Sequence, residues 1–309
     1  MTAANVVVRE VGLRDGLQMV QRFFPTPAKL AWIAAELAAG VGHIEVCSFV
    51  PPKNIPQFAD AFEVAEAAVR LPGLQASALV PNLKGAERAI AAGIRELHFV
   101  LSASEEHNLR NVRRTTQQSL DEFRAVVALA HGQEKKVAVS GAVATALGCT
   151  IAGPVDPGRV MAIARMLVEA GADELSLADT VGYANPAQVR ALFERAESEL
   201  GGTVPIAAHF HDTRGLGLAN VYAAVEAGIR IFDASLAGLG GCPYAPGASG
   251  NIVTEDLVFL LESMGLRTGI DLGRLVEVRR IVAENLPDEA MYGQIAKAGP
   301  PKGFLARAA

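Results

Sequence analysis

Three side chains in this sequence have the types and spacing to hold a divalent cation. His209 and His211 lie two apart in PIAAHFHD, a run of strand character, so both point to one face. Ala207 shares that face, while Ile206, Ala208 and Phe210 point the other way. Two imidazoles converging at a strand end make half a metal site. Asp15, in VGLRDGLQ, can supply the anionic ligand, and Asn251, closing the segment GLGGCPYAPGASGN, an amide oxygen. Two nitrogens with hard oxygens and room for substrate oxygens suit Mg²⁺ or Mn²⁺. Asp212, next to His211, is expected to fix an imidazole tautomer from behind.

Other chemistry-bearing residues fall nearby. Arg14 adjoins Asp15. In HIEVCSF, Ile44 and Val46 would face outward and Glu45 inward, and a buried carboxylate must be paired, for which Arg14 is the natural partner. Asp179 ends ELSLADT with the parity of Leu175 and Leu177, so the strand must turn there for it to face a site. The segment from Gly238 to Asn251 holds five glycines around Cys242. Such a loop can close over a mouth and bring a thiol to bound substrate.

These residues need elements to hold them, and the chain alternates strand-like and helical runs throughout. The strand-like runs are 6–11, 43–49, 74–80, 96–102, 136–145, 174–180, 205–212 and 231–239. Eight βα units imply a parallel sheet closed as a (β/α)₈ TIM barrel. In such barrels chemistry sits at the C-terminal strand ends, where VGLRDGLQ, HFHD and the glycine segment all fall. Thr26 reads as the cap of a helix opening at Pro27 and stopping at Gly40; Asn185 and Pro186 open another that runs toward Gly201. Short additional helices follow residue 252. The chain reads as one catalytic domain over 1–309, with the barrel over about 5–285 and a tail over about 286–309 that is either loosely ordered or laid over a partner subunit.

Composition excludes several classes. At 309 residues, 50% hydrophobic and 20% charged, the chain can bury one large core. Its net charge of −5 and lack of a long basic stripe argue against nucleic acid, and Arg110, Arg113 and Arg114 read as a solvated helix face. No apolar run approaches the roughly 18 residues of a membrane span. MTAANVVVRE runs directly into a strand, leaving no room for a signal or transit peptide, so a cytoplasmic protein is expected. Three cysteines without CxxC spacing fit reduced thiols.

Taken together, VGLRDGLQ (11–18), IEVCSFVPPKNIPQFAD (44–60), PNLKGAERAIAAGIRE (81–96), LADTVGYANP (177–186), HFHDTRGLGLANV (209–221) and AGLGGCPYAPGASGNIVTEDLV (237–258) resemble the hydroxymethylglutaryl-CoA lyase family, within the metal-dependent barrel lyases and Claisen-type synthases. The RDG and HxHD elements belong to the wider group; the Gly238–Asn251 stretch is similar to the lyases' own signature. The resemblance implies metal ligation by Asp15, His209, His211 and Asn251, enolate stabilisation by Arg14, Glu45 and Asp179 near the acyl group, and Cys242 on a mobile catalytic loop. It implies an acyl-CoA thioester substrate recognised around Asn82, Lys84, Asn108 and Asn111, with Ser140 and Thr180 also toward the substrate, and a homodimer. The reaction would be retro-Claisen cleavage of 3-hydroxy-3-methylglutaryl-CoA to acetyl-CoA and acetoacetate.

The chain departs from that pattern at two places. Where the family reads RGYVSC-x-LGCPYEG, this chain has SGAVATALGCTIAG (140–153), so Ser140 and Ala142 replace an arginine and a tyrosine. A basic residue soon after RDGLQ is replaced by Met19, Val20 and Gln21. The expected result is a wider, more neutral acyl pocket, and a rival substrate such as citramalyl-CoA or a longer-chain hydroxyglutaryl-CoA. An isopropylmalate-type condensing synthase shares RDG and HxHD but lacks the glycine signature. A two-histidine, one-carboxylate iron oxygenase is a further rival that the lyase motifs argue against.

Overall fold

The computed structural model describes residues 4–240 and 250–304. All eight expected runs are strands: β1 (Val7–Glu10), β2 (His43–Ser48), β3 (Gln75–Leu79), β4 (Glu96–Ser102), β5 (Ala138–Ala144), β6 (Glu174–Asp179), β7 (Ile206–Phe210) and β8 (Ile231–Ala234). Each pairs in parallel with its successor, and β8 closes on β1 with Val7 opposite Ile231 and Glu10 opposite Ala234. The (β/α)₈ barrel is therefore the fold. Strand eight is shorter than expected, because the chain enters a 3₁₀ turn at Leu236–Gly238 in which Ala237 has φ 58°.

Helices α1 (Thr26–Ala38), α2 (Ala61–Ala68), α3 (Leu83–Ala91), α4 (Glu105–Val112), α5 (Thr116–His131), α6 (Pro157–Glu169), α7 (Pro186–Ala196) and α8 (Gly217–Glu226) connect the strands. Helices α9 (Thr254–Ser263), α10 (Leu272–Asn285) and α11 (Ile295–Ala298) follow β8. Caps explain most of the starts. The Asn185 side chain accepts from the Gln188 N–H while Gln188 reaches back to the Asn185 N–H, and Thr115 with Gln118 repeats the device. Thr26 does not cap α1. It is the first helical residue, and its hydroxyl donates to Asp60 at 2.8 Å. The described part of the tail packs back on the barrel, with Phe304 against Phe259 and the Gln294 and Ile295 N–H groups donating to Asp256.

Apolar side chains fill the layer between strands and helices, for example Phe99 on Phe123 and Phe193 on Phe210. The barrel interior is different. Branched apolar residues usually occupy it. Here Arg9, Glu45, His98, Ser140, His209 and Asp233 are all buried there, with Glu96 and Glu174 at the N-terminal end. A cavity of about 190 Å³, lined by His43, Glu96, Ala138, Ser140 and Glu174 among others, opens at that end, opposite the mouth.

At the mouth, the β8–α9 connection returns close to its own start. A side chain on Gly250 would sit 2.0 Å from the Gly238 carbonyl and 2.4 Å from that of Gly240. Both obstacles are backbone, so no rotamer relieves them. Gly250→Ala is expected to destabilise the fold by about 1–3 kcal/mol and to weaken cation binding, because Asn251 moves with it. Calorimetric melts and a cation titration check both, and no change in either would show that the loop base has slack.

Candidate active site

The chain leaves β1 through a single π-helical turn, Gly12–Gly16, in which the N–H groups of Arg14, Asp15 and Gly16 all converge on the Val11 carbonyl. That turn brings Asp15 to the mouth. Its Oδ1 accepts from Arg14 Nη1 at 2.7 Å, and its Oδ2 accepts from Asn251 Nδ2 at 2.8 Å. His211 Nε2 lies 3.4 Å and His209 Nε2 3.8 Å from the same Oδ2, with 3.1 Å between the two imidazole nitrogens. Among the described residues, Asp15, His209 and His211 are the one group of such side chains whose ligand atoms converge within 4.8 Å, and all three are buried. The parity argument from HxH therefore matches the geometry.

The donor set fits a divalent cation. It offers one carboxylate oxygen, two imidazole nitrogens and a nearby amide. The Asn251 amide oxygen is buried without a protein partner, the kind of orphan a cation would satisfy. Burial works against ionising Asp15, yet Arg14, His211 and His209 hold its carboxyl well below the usual carboxylate range. The ligand is therefore anionic.

Arg14 is shared. Its Nε donates to Glu45 Oε2 at 2.6 Å, which confirms the expected pairing of Glu45. Burial opposes a charged Glu45, and Arg14 and His98 outweigh it. Glu45 Oε1 lies 3.0 Å from His98 Nδ1, and His98 Nε2 lies 3.2 Å from Glu96 Oε1. On the other side, His209 Nδ1 lies 3.1 Å from Asp233 Oδ2, and Asp233 Oδ1 accepts from Arg9 Nε at 2.6 Å. Burial opposes a charged Asp233, but Arg9 and His209 hold its carboxyl low.

Asp233 thus takes the place expected for Asp212. Asp212 Oδ1 instead accepts from the Gly217 N–H at 2.7 Å, in the loop before α8. Arg9, His98 and Asp233 also belong to the site, and their one signal in the sequence is charge or polarity in the middle of strands buried on both faces. Glu10 belongs with them. It accepts from the Gly12 N–H, the Leu236 N–H and the Thr254 hydroxyl, so it ties the root of the Asp15 turn to the root of the glycine segment. Burial pushes Glu10 up to about 7.

Of the other expected site residues, Asp179 lies within electrostatic reach of His211 and His209, although burial raises its carboxyl. Asp179 keeps the parity of Leu177, and its two oxygens accept from the Tyr183 and Ala184 N–H groups. Thr180 Oγ1 accepts from the Thr145 N–H, joining the loops after β5 and β6. Asn82 caps α3 by accepting from the Gly85 N–H, Lys84 is exposed beside it, and Asn111 is exposed on α4; all three follow C-terminal strand ends. Asn108 is buried and committed to Ser102, Arg114 and Ser119. Ser140 is not at the mouth. It lies in the N-terminal half of β5, and its hydroxyl donates to Glu174 at 2.9 Å. Cys242 lies outside the described residues.

The family described as HMGL-like matches residues 5–282. A hydroxymethylglutaryl-CoA lyase of Bacillus subtilis is 42% identical over 282 residues, which are 91% of this chain and 93% of that protein. A mitochondrial hydroxymethylglutaryl-CoA lyase of Arabidopsis thaliana is 41% identical over 91% of this chain, which spans 59% of that longer protein. A solved HMG-CoA lyase of Acinetobacter baumannii, in complex with coenzyme A and 3-methylmalate, superposes over 99% of both chains with a TM-score of 0.90 and 42% identity.

The ionised interior has a pH signature. Burial and Arg9 work against charge on His98, but Glu45 and Glu96 raise it from 6.5 to about 9. The folded chain therefore favours the imidazolium. Its contribution is full below about pH 6.5 and is lost as the pH rises through about 9, a change of no more than about 3 kcal/mol. Denaturant melts across that window should show the fall, and His98→Gln should flatten it.

Proposed function

Since this chain belongs to the HMGL-like family, we propose that it cleaves 3-hydroxy-3-methylglutaryl-CoA to acetyl-CoA and acetoacetate. The convergence of Asp15, His209 and His211 beside a half-buried, doubly paired Arg14 carries the reading. Asp15, His209, His211 and the Asn251 amide would hold the cation, and mixed nitrogen and oxygen donors suit Mg²⁺ or Mn²⁺. A cation bound there supplies the Lewis acidity that acidifies the C3 hydroxyl of the substrate and orients its acyl end.

The residues of the chain do the rest. An imidazole or carboxylate of the site takes the hydroxyl proton as the C2–C3 bond breaks. The electron pair moves onto the thioester, giving the enolate of acetyl-CoA. Arg14 meets that oxygen with a guanidinium already aimed by Glu45 and Asp15, so little reorganisation is needed as charge develops. The enolate carbon is then protonated, for which Cys242 or a water relayed by a histidine is the proposed donor. Asn82, Lys84 and Asn111, beyond β3 and β4, are the expected contacts for the CoA portion.

One observation favours a second substrate. Gly141 faces the helices, where a side chain would meet Leu167 and Phe123. Ala142 therefore faces the interior, and it is only half-buried there. A wall this small leaves room for a larger 3-hydroxyacyl group. The Ser140 departure adds nothing, because Arg9 and Glu174 close around it.

Purified protein with Mg²⁺ or Mn²⁺ should release acetyl-CoA and acetoacetate from hydroxymethylglutaryl-CoA, and no detectable cleavage would overturn the leading reading. Asp15→Ala or His209→Ala should abolish both cation binding and turnover. Arg14→Met should lower kcat by about 10²- to 10³-fold. A panel of bulkier thioesters tests the second substrate, and Ala142→Tyr should narrow the range accepted.

A further inference from the structure

The barrel interior holds a buried cation that no step above uses. Arg9, 3% exposed in the middle of β1, divides its guanidinium between two sides of the barrel. Nε donates to Asp233 on β8 at 2.6 Å, while Nη1 donates to Glu174 on β6 at 2.9 Å and lies 3.2 Å from His98 Nε2 on β4. Asp233 is shared in turn, one oxygen on Arg9 and the other 3.1 Å from His209 Nδ1.

A carboxylate held by one hydrogen bond can pivot about it. Held at both oxygens it cannot, and the imidazole on its far side is then fixed in both tautomer and ring orientation. We propose that Arg9 is a positioning residue for His209: by clamping Asp233 it fixes the Nδ1 side of the imidazole and aims Nε2 at Asp15. The inference rests on reading Asp15, His209 and His211 as a cation site. The clamp has a geometric requirement that charge alone does not meet. A planar fork can serve Asp233 and Glu174 together, whereas a lysine ammonium at position 9 would have to serve them from a single nitrogen.

The test is the affinity of the metal-stripped protein for Mn²⁺ without substrate, read by electron paramagnetic resonance. Arg9→Lys keeps the charge and should weaken Mn²⁺ binding by about 10- to 100-fold. Glu174→Gln removes the other partner of Arg9 but leaves the bond to Asp233, so its Kd should stay within about twofold of the parent even if its Tm changes. Asp233→Asn should weaken binding as Arg9→Lys does, and the double variant should be no weaker than Asp233→Asn alone, because both act along one path. Unchanged affinity in a folded Arg9→Lys would overturn the proposal. So would equal losses in Glu174→Gln and Arg9→Lys, which would assign the effect to the general charge balance of the barrel. If Arg9→Lys does not fold, the Glu174→Gln and Asp233→Asn pair still decides: loss in both, or in neither, overturns the clamp. A parent protein that binds no Mn²⁺ would overturn the cation site itself, an outcome distinct from these.

Discussion

A charge taken into the interior of a closed barrel must find its counter-charge among the other inward-facing side chains, because water is excluded and the layer outside the strands is apolar. Asp15, Arg14, Glu45, His98, Glu96, Arg9, Asp233 and His209 meet that demand by forming a circuit around the inside of the barrel, in which Glu96 stands between the two cations His98 and Arg9. Each member satisfies two neighbours. Removing one partner from such a circuit leaves an uncompensated buried charge, a larger loss than the pair itself is worth. The circuit therefore stiffens what it touches, and it touches the ligands of the cation site on one arm and Arg14 on the other.

This arrangement accounts for the placement of polarity along the strands. A barrel filled with branched apolar residues would be as well packed, but it would give Asp15 and the two imidazoles nothing to lean on. Here the polar layer lies below the mouth and the apolar layer lies outside the strands. Glu10 does a related task on the outer side. It accepts backbone N–H groups from the roots of two loops that are far apart in sequence, so the turn carrying Asp15 and the segment leading to Asn251 share one anchor.

Much of this arrangement is legible in the sequence. Periodicity and turn residues located eight strands, and the two-residue spacing of His209 and His211 put both on one face. Adjacency in sequence was the less reliable guide. Asp212 follows His211 directly, yet the chain has left the strand by then and its carboxylate caps a loop. The carboxylate behind His209 comes from β8, because Ala207 and His209 of β7 pair with Ile231 and Asp233. That contact depends on register between strands, which composition does not reveal. Ser140 was misplaced for a similar reason. The resemblance implies a place near the substrate but says nothing of depth along β5, and depth in a barrel decides whether a residue meets the mouth or the opposite end.

The same depth argument separates chemistry from substrate choice. Ser140 and Ala142 are two residues apart and share a face, yet Ser140 lines the cavity at the N-terminal end while Ala142 lies one level nearer the mouth. Arg9 and Ser140 both donate to Glu174 Oε1, so the level of Ser140 is sealed by an ion pair whatever the acyl group above it. At the level of Ala142, which pairs with Val100 and Ser176, the side chain is a half-buried methyl group. A change of side chain there alters the room for the acyl group without breaking a link of the circuit that holds Arg14 and His209. Variation in substrate can therefore arise at β5 while the cation site and its supports stay as they are, because the two are built at different heights in the same barrel.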